Sequence, residues 1–261
     1  MPSLSANKLR LLFNRVLRAW RRRTLGDFAR LVIYNLRLML TGKHRFRNEA
    51  YDLAFDEEHG LDTVGREEVE FMFPDTELRV HGRGYEPAPV DRFRAVMQQL
   101  PDLRLSDYYF VDLGSGKGRA LLLASHYPFR KIVGVEYSPS LHEIAEKNIA
   151  QFRSREQRPV DIELVCADAS VFEFPAADTV CFMYHPFDDW LMRKTMHNIL
   201  ASLDRQPRKF YVIYLNTEHP QCFEEHRAWR RIAHGDTGGM PFMIWEWQDA
   251  RATANAEAEK T

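Results

Sequence analysis

A chain of 261 residues, 45% of them hydrophobic, suits one α/β domain with extensions and has the apolar content for a sizeable core. Its three cysteines, Cys166, Cys181 and Cys222, are odd in number and widely spaced, which excludes a disulfide-stapled scaffold or a cysteine-rich zinc set. Two of them fall in apolar strand patterns and are expected to be buried thiols in a reducing, cytoplasmic setting. The net charge of −1 conceals an asymmetry: residues 1–48 hold twelve of the 36 Lys and Arg but only one of the 37 acids, Asp27. The body of the chain beyond residue 48 is therefore strongly acidic.

Residues 1–48 read as a basic amphipathic helical extension. Leu9, Leu12, Phe13, Val16 and Trp20 share one helical face, with Arg15, Arg18, Arg22 and Arg23 largely around the other. A second helical pattern holds Leu25, Phe28, Val32, Leu36, Met39 and Leu40. Arg30, Asn35 and Arg37 interrupt an apolar run already too short to span a bilayer. No small-residue cleavage site follows a clean apolar core, so a secretory signal is not expected. Three readings stand: a cap on the acidic body, a peripheral contact with an anionic membrane such as the inner face, and, weighted least, nucleic-acid contact.

Residues 49–84 read as an acidic linker or lid, because Phe55 to Gly65 is turn-rich without a periodic apolar face. A turn at Gly82-Arg83-Gly84-Tyr85-Glu86-Pro87 then precedes a helix through Phe93, Val96, Met97 and Leu100. The strand Phe110-Val111-Asp112-Leu113 runs into glycines at every second position, Gly114, Gly116 and Gly118. A helix follows from Arg119 to Ser125, and then a strand, Ile132 to Val135, ending in Glu136. Glycine is needed where backbone turns tightly and a ligand approaches closely. An acid at the tip of the next strand suits two ribose hydroxyls. This is the pattern of a nucleoside-cofactor site at the head of a βαβ unit.

Spacing separates the cofactor classes. A P-loop needs Ser or Thr after its lysine, whereas Gly118 follows Lys117. The dinucleotide fingerprint is G-x-G-x-x-G, whereas this chain has G-x-G-x-G preceded by Asp112. That acid sits badly beside a pyrophosphate and well beside the cationic methionine part of S-adenosylmethionine. A third strand, Ile162 to Cys166, ends in Ala167-Asp168-Ala169. There a carboxylate can accept from an adenine amine while Ala169 leaves room for the ring. A fourth strand, Thr179 to Met183, ends in Tyr184-His185-Pro186-Phe187.

Beyond it, a helix is expected over Trp190 to Leu203, with Asp188 or Asp189 as its N-cap. A strand from Phe210 to Leu215 ends at Asn216, and a helical stretch follows around Gln221 to Trp229. Arg230 to His234 and Phe242 to Trp247 would pair across Asp236-Thr237-Gly238-Gly239. The tail, 249–261, has no core residues and is expected to be disordered. A metal site built from Asp188, Asp189 and Asn216 carries little weight, since capping accounts for the aspartates; no metal is expected.

With these motifs in this order, the chain from roughly Tyr85 to Gln248 resembles the class I S-adenosylmethionine-dependent methyltransferases. The resemblance implies an α/β, Rossmann-like, seven-stranded, mostly parallel sheet with the last strand antiparallel, here with the N-terminal helical extension, and a domain over 85–248. It implies S-adenosyl-L-methionine as cofactor, with Asp112, Gly114, Gly116 and Gly118 at the methionine end, Glu136 on the ribose and Asp168 on the adenine. Tyr85 would cover the methionine end. An acidic segment similar to 55–65 precedes the cofactor domain in many uncharacterised bacterial methyltransferases, which makes Asp62 and Thr63 substrate or lid contacts.

The run Asp112 to Arg119 is more narrowly similar to the non-SET protein-lysine methyltransferase branch, implying a protein lysine as acceptor. Tyr184-His185-Pro186-Phe187 resembles the Asn/Asp-Pro-Pro-aromatic motif of amino-methyltransferases, with Tyr184 and His185 in place of the usual Asn or Asp. His185, whose ordinary pKa lies near neutrality, is then the candidate general base, and Phe187 a wall of the site. The alternatives are a small-molecule N- or O-methyltransferase, or a non-catalytic cofactor-binding module held at a membrane or nucleic acid.

Overall fold

The computed structural model describes residues 46–65, 81, 83–156 and 161–249. The chain divides into two compact units, Met1–Glu49 and Ala50–Thr261. The expected basic helices of residues 1–45, most of the segment 66–80 and the tail beyond Asp249 lie outside the described residues. Among the described helices, none is long and apolar enough to cross a membrane.

After a first helix, α1 (Phe46–His59), come α2 (Val90–Met97), β1 (Tyr109–Leu113), α3 (Arg119–Ala124), β2 (Lys131–Glu136) and α4 (Pro139–Glu156). Then follow β3 (Ile162–Cys166), β4 (Thr179–Tyr184), α5 (Asp189–Arg205), β5 (Phe210–Leu215), α6 (Gln221–Glu224), β6 (Trp229–Asp236) and β7 (Pro241–Trp247). The strands form one sheet in the order β3-β2-β1-β4-β5-β7-β6. Strands β1 to β5 are parallel, and β7 runs antiparallel to both β5 and β6.

The central strands are continuous apolar runs because both faces are covered, as parallel sheets require. Alternation along each strand sorts the core into two layers. Phe110, Ile132, Phe182 and Ile213 face a cluster that includes Phe93 of α2 and Leu121 of α3. Val111, Val133, Cys181 and Val212 face the other side, against Met192 and Ile199 of α5. Helix α3 is only six residues long, too short to hold by its own hydrogen bonds. Burial of Leu121, Leu122 and Leu123 stabilises it, at about 1.5–3 kcal/mol each.

The chain leaves β1 toward β2 on one side, and β4 lies on β1's other side. The strand order therefore reverses between β1 and β4, and the loops at the carboxyl ends of these strands part to leave a crevice. This reversal places the site.

Three expectations need correction. Residues 55–59 are not linker but the last turn of α1, and Asp52, Phe55, Asp56 and His59 are its buried face. That face has helical spacing but is mostly polar, so no apolar period marks it. Cys166 is exposed, because β3 is the sheet edge and only its first residue is fully buried. The helix expected to reach Trp229 is a single turn, Gln221–Glu224, and Trp229 instead opens β6.

Candidate functional site

The loop after β1 takes left-handed backbone at Gly114 (φ 79°), Gly116 (φ 55°) and Gly118 (φ 88°). The Gly114 and Ser115 N–H groups donate to the Val135 carbonyl at 2.9 and 3.0 Å, which ties the loop to β2. A Cβ on Gly114 would come within 2.8 Å of the Pro186 Cβ, and one on Gly116 within 2.3 Å of the Tyr85 ring. Gly118 has room, its nearest neighbour lying at 3.4 Å, so only its φ demands glycine. It caps the start of α3 and does not line the cleft.

A cleft opens at the carboxyl ends of β1 to β4, lined by Gly114, Glu136, Asp168 and His185 among others. Glu136 lines it and is only 5% exposed. Its Oε2 accepts the Gly116 N–H at 2.8 Å and its Oε1 the Ser138 N–H at 2.7 Å. Burial pushes the Glu136 pKa up, and backbone N–H groups of Ser138, Gly116 and Tyr137 pull it back. Each oxygen keeps lone-pair capacity for a further donor, as a ribose diol would supply. Along the same wall, Asp168 lies between Ala167 and Ala169. Its Oδ1 accepts the Ser170 N–H at 2.8 Å, which fixes the carboxylate. These acids and small residues fit a nucleoside.

Asp112 is 3% exposed and lies beneath the loop rather than on the cleft wall. Burial and then the Glu136 charge push its pKa well above the ordinary carboxylate range, and none of the described residues donates to it. A cationic ligand group above the loop would relieve this repulsion, which fits a sulfonium cofactor. Both acids have folded pKa values above their unfolded ones, so folding takes up protons. Stability should therefore be greatest near the unfolded carboxylate range and fall as pH rises through the raised folded values. Asp112→Asn removes the larger contribution. Its melting temperature should exceed wild type by a few degrees at mildly alkaline pH, with a flatter dependence above roughly pH 5. Parallel wild-type and variant melting curves across that range would refute the assignment.

Tyr85 is buried against Gly116, with Lys117 Nζ 5.2 Å from its ring centre. Its hydroxyl donates to the Thr63 carbonyl at 2.6 Å. Thr63 Oγ1 donates to Asp56 at 2.5 Å and accepts from Arg119 Nε at 2.7 Å. Arg119, 1% exposed, also pairs with Asp52 at 2.9 Å and Asp56 at 3.2 Å. The Asp62 backbone is held on both sides by Asn148, which donates in turn to the Lys117 carbonyl. Thr63 therefore supports Tyr85 from behind, and neither Asp62 nor Thr63 is among the residues lining the cleft. Sequence reasoning missed Arg119, Asp52 and Asp56. The available signals were a lone arginine opening an otherwise apolar helix and two acids spaced i, i+4.

At the opposite wall, Tyr184, His185, Pro186 and Phe187 all line the cleft. His185 adopts a left-handed φ of 46°. Its Nε2 lies 2.9 Å from Glu218 Oε1, while Glu218 Oε2 accepts from Arg83 at 2.7 Å. Burial pulls the His185 pKa down against the opposing pull of Glu218, which keeps the ring neutral near pH 7. Arg83 and Glu218 were not legible in the sequence, being 135 positions apart. Asp188 caps α5 through the Leu191 N–H at 3.0 Å and also holds His81 at 2.7 Å. Asp189 is bonded to Arg193 and Gln221. Among the described residues, no group of three or more His, Cys, Asp or Glu could hold a metal ion.

Residues 110–206 match the family model described as a methyltransferase domain. No curated protein sequence matches the chain. An RNA methyltransferase from Salinibacter ruber, solved in complex with S-adenosyl-L-homocysteine, is 20% identical over 63% of this chain and 95% of its own, with a TM-score of 0.47. A putative methyltransferase from Escherichia coli is 15% identical over 64% of this chain and 93% of its own, with a TM-score of 0.47. The ribosomal protein L11 methylase of Lactobacillus delbrueckii subsp. bulgaricus is 13% identical over 59% of this chain and 77% of its own, with a TM-score of 0.45.

Proposed function

We propose that this S-adenosylmethionine-dependent methyltransferase delivers its methyl group to an amine nitrogen, with a protein lysine side chain as the leading acceptor. The cofactor supplies a methyl carbon on a cationic sulfur, open to in-line attack. Glu136 would hold the ribose hydroxyls, Asp168 would accept from the adenine amine, and Gly116 with Tyr85 would bound the methionine end. An arriving ammonium must first lose a proton; its lone pair would then form the new N–C bond as the S–C bond breaks, leaving a neutral thioether and a methylated ammonium. His185, neutral through burial, takes the proton that the arriving ammonium loses, and Phe187 keeps water from the wall beside it.

The observation that carries this reading is the chemistry of the wall around His185. A neutral imidazole stands beside the carboxylate of Glu218, and Glu86 lines the same cleft. Carboxylates draw a cationic amine to the mouth, and a neutral imidazole accepts the proton the reaction releases. The run Asp112 to Arg119, similar to the protein-lysine branch, supports a lysine over a free amine.

The test incubates full-length protein with methyl-labelled S-adenosylmethionine and a cell lysate separated into protein and small-molecule fractions. Label recovered as base-stable N-methyl-lysine is expected, lost in His185→Gln. Label recovered as a base-labile methyl ester or as an O-methyl phenol would overturn the amine assignment.

A further inference from the structure

Two non-glycine residues among those described hold left-handed backbone, His185 (φ 46°) and Asn216 (φ 56°). Such conformations cost free energy and gather at functional sites. Here they sit just beyond the ends of neighbouring parallel strands, β4 and β5. The turn after β4 carries His185, and the turn after β5 brings Glu218 to it two residues past Asn216. The two strained turns meet in one contact, His185 Nε2 to Glu218 Oε1 at 2.9 Å.

That contact is clamped from a third direction. Arg83 donates through Nη2 to the other Glu218 oxygen at 2.7 Å, and its backbone N–H donates to the Pro186 carbonyl at 3.3 Å. The segment before α2 is thus fastened to both turns. The His185 side chain is 18% exposed and that of Glu218 43%, so the carboxylate links a largely enclosed ring to solvent. Nδ1 of His185 is buried and has no hydrogen-bond partner among the described residues.

We propose that Glu218, clamped by Arg83, is the positioning residue for His185, fixing the imidazole as the tautomer with its proton on Nε2 and its lone pair on Nδ1. The inference rests on the amine-methylation reading for its purpose, but not for its test. A carboxylate facing Nε2 can only accept, so Nε2 must carry the proton and donate it. During turnover the proton gained at Nδ1 gives an imidazolium whose charge Glu218 stabilises, and later loss of that same proton to solvent restores the Nε2-protonated ring. The charged and titratable groups facing His185 are Glu218 and His219 from the turn after β5, and Arg83 and Glu86 from the segment before α2.

Nitrogen-detected NMR of the histidine rings in the full chain tests this without an acceptor, with His185 assigned by the signal lost in His185→Gln. Wild type should show a neutral ring protonated at Nε2. Glu218→Ala should lose that tautomer preference and titrate at lower pH than wild type, because the carboxylate favours the charged ring. Arg83→Ala should titrate at higher pH, because the guanidinium opposes it. Partial unfolding would move both variants upward toward the ordinary histidine value, so the downward shift in Glu218→Ala separates positioning from damage. An Nδ1-protonated ring in wild type, or an unchanged titration in Glu218→Ala, would overturn the proposal. Retained turnover in His185→Gln would instead sink the base assignment and leave the positioning result standing.

Discussion

Glu136→Ala is expected to weaken S-adenosylmethionine binding by at least about 100-fold while leaving a folded protein. The carboxylate performs two tasks at once. It accepts the Gly116 and Ser138 N–H groups, which sets the glycine loop against β2, and it offers its remaining lone pairs to the ribose. Hydrogen bonds to a charged group contribute about 1.5–3 kcal/mol each. Two lost from the ribose therefore weaken binding by at least about 100-fold. Glu136→Gln retains one acceptor and should fall between, since an amide cannot accept from two N–H groups on opposite sides. Calorimetric titration with circular dichroism as a fold check reads this directly. Wild-type affinity in Glu136→Ala would remove the residue from the site.

Arg119→Ala should be the most destabilising single substitution in the described domain. It leaves Asp52 and Asp56 as buried carboxylates without their cation. Removing one partner of a buried ion pair costs about 3–5 kcal/mol, a large part of the ~5–15 kcal/mol that holds a domain. Burial already pushes the Asp52 pKa up, and Arg119 opposes that shift, so the pair is close to balanced only while both members remain. Arg119→Lys should rescue poorly, because a point charge cannot serve Asp52, Asp56 and Thr63 together. Tyr85 depends on Thr63, so cofactor affinity should fall along with stability. Urea denaturation would show the loss as a lower midpoint. A change below about 1 kcal/mol would mean that the network is not what anchors α1 to the glycine loop.

The glycine loop, Glu136 and Asp168 were legible because each obeys a local rule: strand, special backbone, acid at the next strand tip. The central strands were legible for a similar reason, as apolar runs covered on both faces. The support for Tyr85 was not. Its parts lie on α1, on the turn after it and at the start of α3, and the buried face of α1 carries Asp52, Asp56 and His59 where an apolar stripe is normally sought. Thr63 was singled out from sequence as a substrate or lid contact, and its hydroxyl and carbonyl bond Arg119, Asp56 and Tyr85. Cys166 was misplaced because an apolar strand pattern does not reveal which strand forms the sheet edge. His185 was recognised by type and position, while Arg83 and Glu218 acquire their role only once two distant turns meet.

Direct titration of S-adenosylmethionine into the full-length protein, with NAD as comparison, tests the central claim most directly. Micromolar binding of the sulfonium cofactor with none of the dinucleotide is the predicted result, since Asp112 and Glu136 lie close under the loop that would otherwise meet a pyrophosphate. Tight NAD binding without S-adenosylmethionine binding would contradict the account at its root.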